Sequence, residues 1–315
     1  MATLKSIRKR IGSVKSTQKI TRAMKMVAGA RLNKAQARIT ALRPYAVKTQ
    51  EVLASVVARE SEQASEGTKP LHPLLQKRPE KKVLYLLLTS DRGLCGSFNA
   101  NLNKLAERTW KANNEEGRES SFFVVGRKGR DYLRRRGGPV DHHFSGVWER
   151  LDLEQARSVA ATVLKPFKAG EVDAIYVIYS QFKSAMTQTA VIEPLLPVGG
   201  AGAEDDDDDH GKKEGASQTS YLFEPDPDAL LGRLVPMYLE ISILRALYES
   251  QASEFGARMT AMDSATKNAK DMIADLTLLY NRARQAAITK ELMEIIGGAE
   301  ALKELRESAF GHARA

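Results

Sequence analysis

Apolar residues recur every three or four positions from the start of the chain. Leu4, Ile7, Ile11 and Val14 keep this spacing, as do Ile20, Met24, Val27, Leu32, Ala35, Ile39 and Leu42, with one step of five between Val27 and Leu32. The pattern predicts a single helix over residues 3–57, about 80 Å long at 1.5 Å per residue. Pro44 predicts a local bend without ending the helix. A second stripe runs through Leu231, Leu234, Tyr238, Ile241, Arg245, Tyr248, Ala252, Phe255, Met259 and Met262. It continues through Ile273, Leu276, Tyr280, Ala283, Ala287 and Ile295, and Pro236 interrupts only its first turns. Helices this long outgrow an ordinary globular core, so the two ends of the chain are expected to pair as an antiparallel coiled coil. Their inward residues are Ala, Met and Thr more than regular Leu heptads, which predicts an irregular coil with an exposed, partner-reading surface.

Between the stripes the period changes. Short β-rich runs at 83–89, 121–125 and 174–181 alternate with helical patterns at 99–110, 127–136 and 152–167. That order predicts a mainly parallel sheet. A further extended piece, 189–196, is placed at a sheet edge, and 199–220, with the acidic run 204–209, reads as a solvated loop. The expected fold is α/β, a small Rossmann-like central domain, plus a long antiparallel α-helical coiled coil formed by the N- and C-terminal helices. Its divisions are an N-terminal shaft helix 1–57, a linker 58–81, the α/β domain 82–198, an acidic connection 199–226, a C-terminal shaft helix 227–299 and an extension 300–315.

Charge changes the picture of the first helix. Thirteen Lys or Arg precede Glu51, the first acidic residue, and the rest of the chain holds 35 basic against 39 acidic residues. A basic arm on a nearly neutral body seeks a polyanion or an acidic protein surface. The arm carries no aromatic residue before Tyr45. Its basic residues surround an apolar stripe suited to helix packing, so an acidic protein partner explains both features. A basic coiled-coil nucleic-acid-binding protein is the alternative, and it would show steep salt dependence. The longest apolar run, 83–88, falls far short of the roughly 20 residues a bilayer span needs. No apolar run follows the basic N-terminus, so no signal peptide is expected.

Candidate chemistry is sparse. The turn Ser90-Asp91-Arg92-Gly93-Leu94-Cys95-Gly96-Ser97-Phe98-Asn99 follows a strand and opens a helix, where phosphates can bind. It lacks the Gly-Lys-Ser/Thr ending of a P-loop and does not fit G-x-G-x-x-G. It therefore reads as a structural turn with Asn99 as a helix cap, and a nucleotide-dependent enzyme is a third, weaker reading. Cys95 has no nearby His in sequence and reads as an inert thiol. His142-His143 has no spaced ligand pattern around it and reads as a surface strand or loop. No catalytic residue, cofactor or metal site is expected.

Several stretches resemble one family. Thr3-Leu4-Lys5-Ser6-Ile7-Arg8-Lys9-Arg10-Ile11, continuing through Lys19-Ile20-Thr21-Arg22-Ala23-Met24-Lys25-Met26-Val27-Ala28, is similar to the N-terminal helix of F-type ATP synthase gamma subunits. Ala257-Arg258-Met259-Thr260-Ala261-Met262 and the run from Tyr280 to Leu292 resemble its C-terminal helix, and the stretch closing on Gly297-Gly298-Ala299 resembles its signature. The likeness covers nearly the whole chain in order. It implies a central rotor shaft that transmits torque between a proton-driven c-ring and catalytic beta subunits and performs no catalysis itself. The implied partners are the alpha and beta subunits of the ring, the epsilon subunit and the c-ring, with no nucleic acid and membrane contact only through the complex. The implied location is peripheral, on the cytoplasmic face of the bacterial plasma membrane. By position, Arg284, Gln285, Thr289 and Glu291 match the stretch that grips a beta-subunit loop. Met24 and Lys25 match positions near an acidic beta loop, and Arg258 matches a position implicated in coupling. Two features depart from the family: the acidic insert around 204–209, which without paired cysteines cannot be a dithiol switch, and the long tail 300–315.

Overall fold

A computed structural model describes residues 3–63, 73–75, 78–197 and 227–311. The acidic run 204–209 and the end of the tail, 312–315, lie outside the described residues. The helices are α1 (Leu4–Gln63), α2 (Phe98–Glu115), α3 (Arg127–Arg135), α4 (Leu153–Lys168) and α5 (Pro227–Gly311). The strands are β1 (Lys82–Leu88), β2 (Glu119–Val125), β3 (Val140–Phe144), β4 (Ala174–Phe182) and β5 (Gln188–Leu196). α1 continues through Pro44 and α5 through Pro236. The chain divides into two compact units, Met26–Ala261 and the pair Met1–Lys25 with Met262–Ala315.

In the larger unit the sheet order is β3-β2-β1-β4-β5, parallel from β3 to β4, with β5 antiparallel at the edge. Successive side chains on a strand point to opposite faces. Here both faces are apolar because both are covered. Leu84, Leu86 and Leu88 of β1 join α4 (Val159, Val163, Phe167) and α5 (Leu239, Ile243, Leu247) in one core cluster. Val83, Tyr85 and Leu87 join α2 (Leu102, Ala106) and Leu133 of α3 in the other. Asp152 caps α4, its carboxylate accepting from the Gln155 backbone N–H at 3.0 Å. Glu107 of α2 accepts from Tyr132 and Arg136 of the α3 region, at 2.7 Å each. A third cluster packs Leu32 and Ala35 of α1 against Ala252 of α5, beside Phe255 and Met259.

In the smaller unit α1 and α5 pair antiparallel. Lys25 Nζ donates to Asp263 Oδ1 at 2.6 Å, and Thr266 Oγ1 donates to Thr21 Oγ1 at 2.8 Å. Ile7, Met262 and Ala269 are its buried apolar residues among those described. Small and flexible residues let the helices approach without a regular Leu seam.

His142 and His143 lie on β3, the exposed edge strand. The 189–196 piece is β5, paired along β4 from Ile175 to Phe182. Asn99 is a correction: Ser97 occupies the cap position of α2 with no side-chain capping bond. The Asn99 amide instead reaches back across the turn.

Candidate partner-contact site

The proposed contact residues fall into three settings. Arg284, Gln285, Thr289 and Glu291 are exposed on α5, and no described residue makes a hydrogen bond or ion pair with their side chains. The register set by Lys25–Asp263 and Thr21–Thr266 explains why. Both helices rise equally per residue, so seventeen residues back from Thr21 along α1 and seventeen forward from Thr266 along α5 bring Leu4 roughly level with Ala283. Beyond that point no described helix of its own chain lies beside α5.

This stretch is two-sided in composition. At about 100° per residue, Arg284, Gln285, Thr289 and Glu291 fall within less than half of the helix circumference. Ile288, Leu292, Ile295 and Ile296 fall within the same half, and they are exposed to 58%, 55%, 65% and 50%. Ala286, Ala287, Lys290, Met293, Glu294 and Gly297 occupy the opposite side, Met293 being its one large apolar residue. Lys290 Nζ lies 3.6 Å from Glu294 there. Large apolar and hydrogen-bonding side chains thus share one unpartnered face. Their pattern is that of an interface core with anchors able to hold orientation.

Met24 and Lys25 are half-buried near the end of the short pairing region, and Lys25 is engaged with Asp263. Asp263 also receives Lys267, and the bonds from Lys25 and then Lys267 hold its carboxyl below the usual carboxylate range.

Arg258 belongs to the other unit. Its guanidinium is nearly buried, 2.7 Å from Glu254 Oε1, and it donates to the Gly93 carbonyl at 3.2 Å. It therefore clamps α5 to the 90–99 turn. Within the turn, Ser90 N–H donates to Asn99 Oδ1 at 3.0 Å, and Asn99 Nδ2 donates to Ser90 Oγ at 2.8 Å and to Cys95 Sγ at 3.2 Å. Leu94 and Gly96 take left-handed backbone angles, φ 66° and 56°. Cys95 is buried, and burial pushes its thiol pKa up, which keeps it a protonated, poor nucleophile.

The turn stands at the C-terminal ends of β1 and β4, the point where strand order reverses and open α/β sheets place ligands. Here α5 packs across that crevice. Ser253 Oγ donates to the Ser180 carbonyl at 2.9 Å, and Ser250 Oγ to the Leu88 carbonyl at 3.4 Å. Gly256 packs on the Ala185 carbonyl, where an added Cβ would come within 3.2 Å. A Cβ at Gly96 would meet Ala261 Cβ at 3.8 Å. α5 thus packs against the turn that the third reading, a nucleotide-dependent enzyme, would use. Seryl and glycyl spacing along α5 was the sequence signal for this close approach.

Comparison with known proteins agrees with the resemblance. A family model described as ATP synthase matches residues 3–302. The ATP synthase gamma chain of Sorangium cellulosum is 60% identical over 326 aligned positions, covering 96% of this chain and 100% of the relative. That of Geobacter sp. (strain M21) is 48% identical over 303 positions, with the same coverage of 96% and 100%. Among solved structures, a chain of the Euglena gracilis mitochondrial ATP synthase OSCP/F1/c-ring assembly superposes with a TM-score of 0.63 at 20% identity, covering 95% of this chain and 94% of that one. A chain of the Tetrahymena thermophila mitochondrial ATP synthase central stalk/c-ring does so at 0.54 and 23% identity, covering 78% and 99%. At these identities the structural matches establish a shared fold.

Proposed function

Since this chain belongs to the ATP synthase gamma-chain family, we propose that it is the central rotor shaft of an F-type ATP synthase, carrying torque between a proton-driven c-ring and catalytic beta subunits. The observation that carries this reading is the mixed face of α5 past Ala283, where four polar candidates bond to no described residue and four large apolar residues have half or more of their surface exposed. A helix with different chemistry on its two sides presents a different surface to each surrounding subunit as it turns. That asymmetry is what a shaft needs to drive identical sites through different states. Arg284 and Glu291 supply charge-assisted hydrogen bonds to a beta-subunit loop, and Gln285 and Thr289 supply neutral ones. Each holds one angular position until substrate binding changes the loop.

The chain acts as a non-catalytic subunit, as membership of the gamma-chain family implies. Lys25 contributes near an acidic beta loop beside Met24, and Arg258 contributes to coupling through the turn it clamps. The alpha and beta subunits surround the shaft, and the epsilon subunit and c-ring take the sheet domain. No helix among the described residues is long and apolar enough to cross a membrane. Membrane contact runs through the complex, which sits peripherally on the cytoplasmic face of the bacterial plasma membrane. Family membership also sets aside the nucleic-acid reading of the basic arm.

Reconstitution tests this. Mixed with alpha and beta subunits of its own source, the chain is expected to enter a stable complex in one copy, and Gln285→Ala or Thr289→Ala to change its ATPase rate. A chain that joins no complex, or variants with unchanged turnover, would overturn the reading or its contact site respectively.

A further inference from the structure

The larger unit holds a second feature that the shaft role does not use. A cleft of about 400 Å³ opens between α1 and α5 and is closed by the 90–99 turn, the start of α3 and the loop before α4. Six basic side chains line it: Arg31, Lys34, Arg38, Arg92, Arg127 and Arg258. Three carboxylates share it, and two of them are already engaged. Glu254 lies 2.7 Å from Arg258, and Asp91 accepts from the Arg127 backbone N–H at 3.0 Å with the Arg127 guanidinium 3.7 Å away. Among the carboxylates of the lining, that leaves Glu149 as the one not already paired to set against Arg31, Lys34, Arg38 and Arg92, although Arg31 also feels the Glu254 charge. No described carboxylate lies within ion-pairing distance of these four cations.

Two of the four are held in place without spending their donors. Arg31 lies over the Phe255 ring at 5.8 Å and Arg38 over the Tyr248 ring at 5.7 Å. Stacking of this kind engages the face of a guanidinium and leaves its N–H edge free. Trp148 forms another wall, its indole N–H fixed on the Thr89 carbonyl at 2.8 Å. The cleft is within the size range of small-ligand sites. Its excess of about three positive charges, on planar forks suited to tetrahedral oxyanions, selects for several phosphate groups over a single carboxylate. Mutual repulsion among the four cations is relieved when such a ligand binds.

We propose that this cleft is a binding site for a compact oligophosphate, a phosphate chain of two or three groups either free or carried on a nucleotide. The site is separate from the crevice behind the 90–99 turn that α5 packs across, and it stands whether or not the contact assignment on α5 holds.

The test is calorimetric titration of the full chain with tripolyphosphate, pyrophosphate and ATP at one fixed ionic strength. One saturable site per chain is expected, with at least tenfold weaker binding in Arg38→Gln/Arg92→Gln. Arg31→Gln, at an exposed position, gives the same direction of change if the double variant folds poorly. Equal affinity for tripolyphosphate and ATP assigns the site to the phosphate chain alone. Tighter binding of ATP assigns it to a nucleotide. The proposal is overturned by the absence of saturable binding, or by binding that persists in both cleft variants and falls instead in Lys15→Gln/Lys19→Gln on the basic arm.

Discussion

Two stretches of the same helix make opposite use of similar residues. Between Val235 and Ala252, α5 buries Leu239, Ile243, Leu244 and Leu247 against the sheet and α4. Between Arg284 and Leu302 it carries Ile288, Leu292, Ile295 and Ile296 with half or more of their surface in water. Composition does not separate the two stretches, since both are rich in Leu and Ile at helical spacing. What separates them is whether this chain supplies the other wall. In the first stretch apolar residues hold the fold together. In the second they stand largely in water and are available to a partner.

Truncation should expose this difference most strongly. Leu247→Ala removes a fully buried side chain from the core between α5 and the sheet, and should cost about 2–5 kcal/mol in denaturant unfolding. Leu292→Ala makes the same chemical change in the exposed stretch and should shift the stability of the isolated chain by no more than about 0.5 kcal/mol. Its effect should appear in assembly with alpha and beta subunits. Equal costs for the two variants would erase the comparison.

The carboxylates of α5 extend the contrast. Glu249 sits in the buried stretch beside Glu193, Arg245 and Tyr179. Arg245 donates to Glu193 at 2.7 Å, and Tyr179 donates to it at 3.0 Å, while Glu249 Oε2 is buried without a hydrogen-bond partner. Burial, only partly offset by Arg245, raises the Glu249 pKa to about 7. The folded chain therefore holds this proton more tightly than the unfolded one. The stabilisation is complete below the unfolded value, near 4.5, and is lost as pH rises to about 7. Glu249→Gln should raise stability by on the order of 2 kcal/mol at pH 8 and by little at pH 4, as thermal unfolding across that range would show.

The smallest effect belongs to the short pairing region. Lys25 and Asp263 are 43% and 34% exposed, so Lys25→Ala should cost less than about 1 kcal/mol and still less in high salt. A larger loss would mean that the ion pair, and not Ile7, Met262 and Ala269, holds the two helices together.

Much of this was legible in the sequence, for identifiable reasons. The long helices and the strands β1, β2 and β4 announce themselves by period, because each buries a regular stripe or a continuous apolar run. β3 was harder to read: Val140-Asp141-His142-His143-Phe144 is short, polar and at the sheet edge, so burial imposes little pattern on it. Asn99 was misassigned because its amide bonds to Ser90 and Cys95, a choice made by the fold of the turn and not by local spacing. The stripe through Ala287 and Ile295 correctly predicts a helix but cannot say that its partner helix ends near Arg284. The cluster of cations in the α1–α5 cleft was likewise invisible, since Arg38, Arg92 and Arg258 lie far apart in the chain and meet only through the sheet domain's fold.

The central claim is that this chain turns inside its partners. Cys95 is buried, and Met186, on the β4–β5 loop, is 82% exposed, so Met186→Cys offers a selective attachment point for a bead. With an alpha–beta ring fixed to a surface and ATP supplied, the bead should rotate in one direction at a rate that follows ATP hydrolysis. Steady hydrolysis by the assembled complex with the bead motionless or wandering without direction would contradict the account.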